Sequence, residues 1–288
     1  MSIRFESTVD HPVDEVFAWH TRPGAMRRLV PPWQPMTVVT ETASLADGRA
    51  VLGLPAGLRW VADHDPAGYD PPHRFVDRLS SAGPRSWPPR LVHHWTHTHE
   101  FAAVPGGTRV RDHVHTPLPA AALRSTFVYR HRQLADDLAA HRDAAQAGLK
   151  PLVVAVTGTA GPVGPALSAF LSTGGHRVVR RPDEAQAVIR TDEGTVQIGS
   201  RTVTVRTGLV LSAHDGVRRL KRLRGRRPPA WIGLDDLLDV YLRALYDERL
   251  TGAIDAVAPE CGGRLSELGH RFRRPSLADA LAHELGDG

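Results

Sequence analysis

The alternation of apolar and polar positions changes character about midway along this chain of 288 residues. Ile3 to Asp10 alternate with the period of a half-buried strand, and His11-Pro12 end the run. Asp14 and Glu15 open a helical segment, where acids favour the helix dipole. Val13, Val16, Phe17 and Met26 form its apolar face, with an interruption at Pro23-Gly24 and a stop at Pro31-Pro32. From about Thr37 to Leu118, alternating runs are separated by turn residues, and Ala46-Asp47-Gly48 and Pro105-Gly106-Gly107 give the clearest hairpin signals. A long helical pattern follows from Leu123 to about Ala147, with Phe127, Leu134 and Leu138 on one face. Strand, helical segment, antiparallel meander and long helix predict an α+β unit whose curved sheet wraps the helix and encloses a cavity.

Gly148-Leu149-Lys150-Pro151 reads as a linker, and a different pattern begins after it. Val153 to Val156 read as a buried parallel strand. Gly158, Gly161 and Gly164 follow at three-residue spacing within Gly158-Thr159-Ala160-Gly161-Pro162-Val163-Gly164, and a helical pattern starts at Pro165. Strand, glycine turn and helix in that order are the setting of a dinucleotide fingerprint. The glycines allow a tight turn, close approach of the backbone to a pyrophosphate, and packing of the helix on the sheet. A second strand, Arg177-Val178-Val179, ends at Arg180-Arg181, where a base suits the 2′-phosphate of NADP and an acid would select NAD.

Parity along the strands of the first half sorts its ionisable residues. In Leu91 to Phe101 the odd positions hold the large apolar residues, so His93, His97 and His99 are expected to face inward with Trp95 and Phe101. Asp112 shares a face with Val110 and Val114, Asp77 with Phe75 and Leu79, and His64 with Leu58 and Trp60. An inward set of His64, Asp77, His93, His97, His99 and Asp112 is polar for a core, and buried ionisable groups must be paired or shifted in pKa. A histidine oriented by an aspartate can move protons on a bound carbonyl compound near neutral pH. The same residue types suit zinc or iron, and structural pairing near a cavity mouth is the plainer alternative. No residue is assigned to a metal.

Composition narrows the classes. Hydrophobic content of 41% and charge of 23% are those of a soluble globular protein, and no apolar run approaches the roughly 18–20 residues that span a bilayer. The N-terminal residues lack the apolar core of a secretory signal. A single cysteine, Cys261, excludes an intrachain disulfide and a cysteine-based zinc cluster, and a cytoplasmic protein is expected. The net charge of +5 owes much to the run Arg218 to Arg227. No aromatic residue is interleaved there for base stacking, so a solvated loop or helix end is expected rather than a nucleic-acid surface.

Two resemblances follow from these residues. Pro12-Val13-Asp14-Glu15-Val16-Phe17-Ala18-Trp19-His20, Arg22-Pro23-Gly24-Ala25, Pro31-Pro32-Trp33 and Trp95-Thr96-His97-Thr98-His99-Glu100-Phe101 resemble the START-like, or SRPBCC, ligand-binding superfamily, in the version fused ahead of sugar-nucleotide-epimerase-like proteins. The second half resembles the atypical, epimerase-like branch of the extended short-chain dehydrogenases/reductases, through the glycine turn, Arg206-Thr207-Gly208-Leu209-Val210-Leu211-Ser212, Trp231-Ile232-Gly233-Leu234-Asp235-Asp236-Leu237, Ala256-Val257-Ala258-Pro259-Glu260 and the tail from Arg271 to Leu281. The implied fold class is an α+β helix-grip domain, residues 1–147, followed by a truncated Rossmann-like α/β domain, residues 151–288. Three departures stand out: about twenty residues between Arg181 and Thr202 where that family places several strand–helix units, Gly233 where it commonly has histidine, and no Tyr-x-x-x-Lys pair. Tyr241 and Tyr246 are the second half's only tyrosines, and neither has a lysine four residues later.

The leading expectation is a first domain that binds a small apolar or aromatic carbonyl-containing metabolite and catalyses a cyclisation, dehydration or isomerisation with no cofactor required. His97, His99 and Asp112, then His64 and Asp77, are its candidate acid–base residues. The alternative is an NADP-dependent reductase or epimerase of the short-chain dehydrogenase type, with Gly158, Gly161, Gly164, Arg180 and Arg181 on the cofactor. In a further alternative the chain is a non-catalytic carrier or scaffold, the glycine turn a structural remnant, and the second half a docking or homodimer surface. The expected partner is a small metabolite, with no membrane and no nucleic acid.

Overall fold

A computed structural model describes residues 2–80, 92–158, 160–226, 228–263 and 265–287. Leu91 of the alternating run to Phe101, Thr159 of the glycine turn and Arg227 of the basic run lie outside the described residues. The chain divides into two compact units, one ending at Leu138 and the other running from Ala139 to Asp287. The division falls within a long helix and not at the Gly148–Pro151 linker.

The first unit contains β1 (Ser2–Val9), α1 (Val13–Thr21), α2 (Ala25–Leu29), β2 (Thr37–Thr40), β3 (Arg49–Gly53), β4 (Arg59–His64), β5 (Arg74–Leu79), β6 (Thr96–Val104), β7 (Gly107–His115) and most of α3 (Ala120–Gln146). Its seven strands form one antiparallel sheet in the order β1-β7-β6-β5-β4-β3-β2. The β6–β7 hairpin closes at Val104↔Gly107, with Gly106 and Gly107 at φ +89° and +133°, where a side chain would be strained. On the buried face, Phe101 and Val110 pack with Phe17 and Trp19 of α1 and with Leu134 and Leu138 of α3. Phe5 of β1 stacks on Phe127 of α3 at 4.4 Å. Helices α2 and α3 are joined by a buried, two-pronged ion pair in which Arg28 Nε and Nη2 each donate to Asp137 at 2.7 Å.

The expected alternation holds through the paired part of β6 and β7. His97, His99 and Phe101 are buried on one strand and Val110, Asp112 and Val114 on the other. His93 departs from it. The ladder begins at Thr96, so parity does not extend back to residue 93, and His93 is exposed while Val92 is buried.

The second unit holds the end of α3, then β8 (Val153–Thr157), α4 (Val163–Thr173), β9 (Arg177–Val179), β10 (Ala187–Arg190), β11 (Thr195–Ile198), β12 (Arg201–Thr207), β13 (Leu209–Leu211), α5 (Val217–Lys221), β14 (Trp231–Gly233), α6 (Leu234–Tyr246), β15 (Gly252–Ala256) and α7 (Leu277–Leu285). Six strands form a sheet in the order β15-β12-β11-β10-β8-β9, and β13 and β14 form a separate parallel pair. Strand β8 is parallel to β9 and β10, β12 is parallel to β15, and β11 is antiparallel to both of its neighbours. This is a mixed, Rossmann-like α/β arrangement.

The antiparallel β11 lets few residues extend the sheet. A parallel neighbour needs a crossover of a dozen or more residues, whereas an antiparallel one needs only a short turn. Residues 191–194 provide that turn between β10 and β11, with Gly194 at φ +64°. Val154, Leu167, Phe170, Ile189, Val203 and Leu238 fill the core. Among the described residues no helix is long and apolar enough to cross a membrane.

Candidate functional site

In the first unit a cavity of about 240 Å³ lies against β3–β6, with Leu29 of α2 and Phe127 and Arg130 of α3 also in its wall. Trp60, Trp95, Leu52 and Phe75 make most of its surface apolar, and Asp77, His97, His99 and His64 supply its polar end. Neighbouring strands bring the polar groups together. The sheet register sets Asp77 opposite His97 and His99 opposite Asp112, and the two-residue period keeps all four side chains on one face.

Asp112 is the hub of this cluster. Its Oδ1 lies 2.7 Å from His97 Nε2 and 2.8 Å from His99 Nδ1, and its Oδ2 lies 2.7 Å from His131 Nε2. An ionised carboxylate only accepts, so all three imidazoles donate to it. Their other faces are also engaged. His131 Nδ1 is 2.6 Å from the Ser7 hydroxyl, and His97 Nδ1 and His99 Nε2 each lie 3.4 Å from Asp77 Oδ2. His64 lines the same cavity, but its buried Nδ1 has no hydrogen-bond partner among the described residues.

The charges follow from this geometry. Burial raises the Asp112 carboxyl, yet the opposing effect of His99 and His97, with hydrogen bonds from His131 and His97, holds it well below the usual carboxylate range. Asp77 is likewise held down, because hydrogen bonds and charge from His97 and His99 outweigh its burial. For His97, burial works against the cation, and Asp112 and Asp77 reverse this, so its pKa rises. Burial lowers His64, and burial together with His99 pushes His20 down to about 3. The cavity thus presents a proton-bearing His–Asp cluster beside two neutral imidazoles, all facing an apolar space.

Two members of this environment escaped the strand-parity reasoning because they sit on helices. His131 lies four residues after Phe127 and three before Leu134, on the same inward stripe of α3. His20 follows Phe17 by three and Val16 by four, and its ring stands 5.0 Å from that of Phe101. Helical spacing from the apolar faces already recognised would have found both.

The glycine turn of the second unit joins β8 to α4. Gly158 has φ +71°, and a Cβ on it would lie 2.1 Å from Asp192 Oδ1, so glycine is needed there on both counts. A Cβ on Gly161 would meet nothing within 4 Å, which leaves the backbone open to a ligand. Helix α4 directs its N-terminus at the turn, although Pro165 removes one of its free N–H groups. Arg180 is exposed at the end of β9, whereas Arg181 is engaged by Asp183 at 2.6 Å and Glu184 at 3.3 Å. An open glycine turn, a helix N-terminus and a nearby arginine fit the diphosphate of a nucleotide. The tyrosines do not supply the missing acid–base pair. Tyr241 is buried in the core of α6, which pushes its hydroxyl up to about 12, and burial also raises Tyr246.

No family model matches the chain, and no curated protein matches it in sequence. Among solved structures, a Corynebacterium glutamicum protein described as a nucleoside-diphosphate sugar epimerase is 27% identical, with a TM-score of 0.83 over 99% of this chain and 90% of its own. A Chromobacterium violaceum protein (17% identical, TM-score 0.36) and a Rhodobacter sphaeroides protein (18%, 0.38) cover 47% and 48% of this chain and 94% and 92% of their own. The first similarity supports the epimerase-like part of the sequence resemblance. It also corrects the expectation that no cofactor is required: that expectation rested on the missing Tyr-x-x-x-Lys pair, and likeness to such an epimerase over nearly the whole chain points instead to a nucleotide cofactor such as NAD(P).

Proposed function

We propose that this chain is an NADP-dependent protein of the epimerase or reductase type, whose first unit is a helix-grip domain binding a small, largely apolar carbonyl-containing ligand. The observation that carries the reading is the similarity, at a TM-score of 0.83, to a nucleoside-diphosphate sugar epimerase. Gly158, Gly161 and the N-terminus of α4 would hold the pyrophosphate, and Arg180 would pair with the 2′-phosphate. NADP, when bound, supplies a hydride donor or acceptor.

The chain's own contribution in the cavity is orientation and proton handling. Trp60, Trp95 and Phe75 exclude water around an apolar ligand body, and the unpartnered Nδ1 of His64 and the His97–Asp112 pair offer polar contacts to its oxygen. His97, raised by its two carboxylates, is the group placed to give a proton to that oxygen, with His99 and His131 holding Asp112 in position. Titration of the full chain with NADPH, followed by cofactor fluorescence, tests the reading. Saturation is expected, and a flat titration at millimolar cofactor would discard it.

A second reading, binding of nucleotide and ligand without turnover, is favoured by one observation. Tyr241 is locked in the core, and Tyr246 has no lysine partner, so the second unit lacks the usual acid–base group. It predicts saturable binding with no change in NADPH absorbance over time for any carbonyl substrate tried.

A further inference from the structure

We propose that Asp77, His97 and His99 form a site for a divalent transition-metal ion of the zinc class at the polar end of the first unit's cavity. The inference goes beyond the nucleotide reading and does not rest on it, since every residue involved belongs to the first unit.

Asp112 takes a donor from His97 at Nε2 and from His99 at Nδ1. An imidazole that donates through one nitrogen can ligate a metal through the other, releasing any proton held there. His97 Nδ1 and His99 Nε2 are both directed at the same oxygen, Asp77 Oδ2, each from 3.4 Å. Three atoms able to ligate a metal converge there, and at 3.4 Å the contacts of Asp77 are longer than the usual charge-assisted hydrogen bond. A cation placed among them satisfies all three.

The spacing fits such an ion. Zinc bonds to nitrogen and carboxylate oxygen at about 2.0–2.2 Å, which puts neighbouring tetrahedral ligands roughly 3.4 Å apart. The two separations of 3.4 Å match that edge, and the ligand atoms of all three residues lie within 4.8 Å of one another. Both nitrogens away from the site rest on one carboxylate, itself fixed by His131, which is the carboxylate–histidine–metal arrangement that sets ring orientation and raises ligand basicity. Three protein ligands leave a fourth position, and the cavity beside them is lined by Trp60, Trp95 and Phe127. An ion held there would displace the proton that His97 carries in the metal-free cluster. Polarisation of a ligand's oxygen in the fourth position by a Lewis acid would then replace proton donation by His97.

The test uses the full chain stripped with a chelator and then titrated with Zn²⁺ by calorimetry and with Co²⁺ by visible absorption. One ion per chain is expected, with the intense absorption of four-coordinate cobalt. Asp77→Asn and His99→Ala should each weaken Zn²⁺ binding by at least about tenfold, and Asp112→Asn by about 10- to 100-fold through loss of the outer carboxylate. Thermal melts of the metal-free variants show whether they fold, and the cobalt spectrum of the unaltered chain stands without them. No saturable binding at about 100 μM metal, a weak six-coordinate cobalt spectrum, or full affinity in folded Asp77→Asn would each overturn the proposal.

Discussion

Asp112 Oδ2 accepts a 2.7 Å hydrogen bond from His131 Nε2, and this contact ties the centre of strand β7 to the inward face of helix α3. The same carboxylate serves His97 and His99, so one buried residue sets three ring orientations. Replacing it by alanine leaves three buried imidazoles without their shared acceptor. Breaking a buried charged network from one side costs roughly 3–5 kcal/mol. Denaturant unfolding of Asp112→Ala should show a loss of that size near neutral pH, and a loss under about 1 kcal/mol would mean that the cluster is not a stabilising unit.

The glycine turn separates fold from binding. Gly158→Ala places a methyl against Asp192 at a left-handed backbone position, so stability should fall by about 1–3 kcal/mol together with nucleotide affinity. Gly161 has open space around it, and Gly161→Val should leave the melting temperature nearly unchanged while it blocks approach of a pyrophosphate. Paired melts and NADPH titrations of the two variants check this.

Arg180 should set cofactor preference. It is exposed at the end of β9, whereas Arg181 is tied to Asp183 and Glu184. Arg180→Glu is expected to weaken NADPH binding about tenfold or more and to change NADH binding little, since only NADPH carries the 2′-phosphate. Equal effects on both cofactors would place Arg180 elsewhere in the site.

Asp236 makes stability depend on pH. Burial first, and then the nearby Asp239, raise its carboxyl from 3.8 to about 7, against the Arg273 backbone N–H that it accepts. The folded chain therefore keeps this proton up to a higher pH than the unfolded chain does. The stabilisation is complete below pH 4 and is lost as pH rises toward 7, amounting to about 4 kcal/mol at most. Asp236→Asn retains an acceptor without the charge, so its advantage over the unaltered chain should grow between pH 4.5 and 8. Parallel urea-unfolding profiles for the two proteins would contradict the assignment.

The alternation at His97, His99 and Asp112 was legible because β6 and β7 pair without interruption over nine positions, from Thr96↔His115 to Val104↔Gly107. His93 was misread because the period of two carries no information outside a ladder, and the ladder starts three residues later. His20 and His131 were missed for a related reason. Their inward placement depends on helical spacing from Phe17 and Phe127, not on strand parity. Strand β11 was illegible because four residues set no reliable period, and its direction is fixed only by pairing with β10 and β12. The missing Tyr-x-x-x-Lys pair does not bear on whether the glycine turn holds a nucleotide.

Whether the glycine turn holds a nucleotide is decided by calorimetric titration of NADPH into the full chain alongside Gly161→Val. One saturable site is expected in the unaltered chain, and its loss in the variant, at matched melting temperatures. No heat of binding in either protein at millimolar NADPH, or equal binding in both, would contradict it.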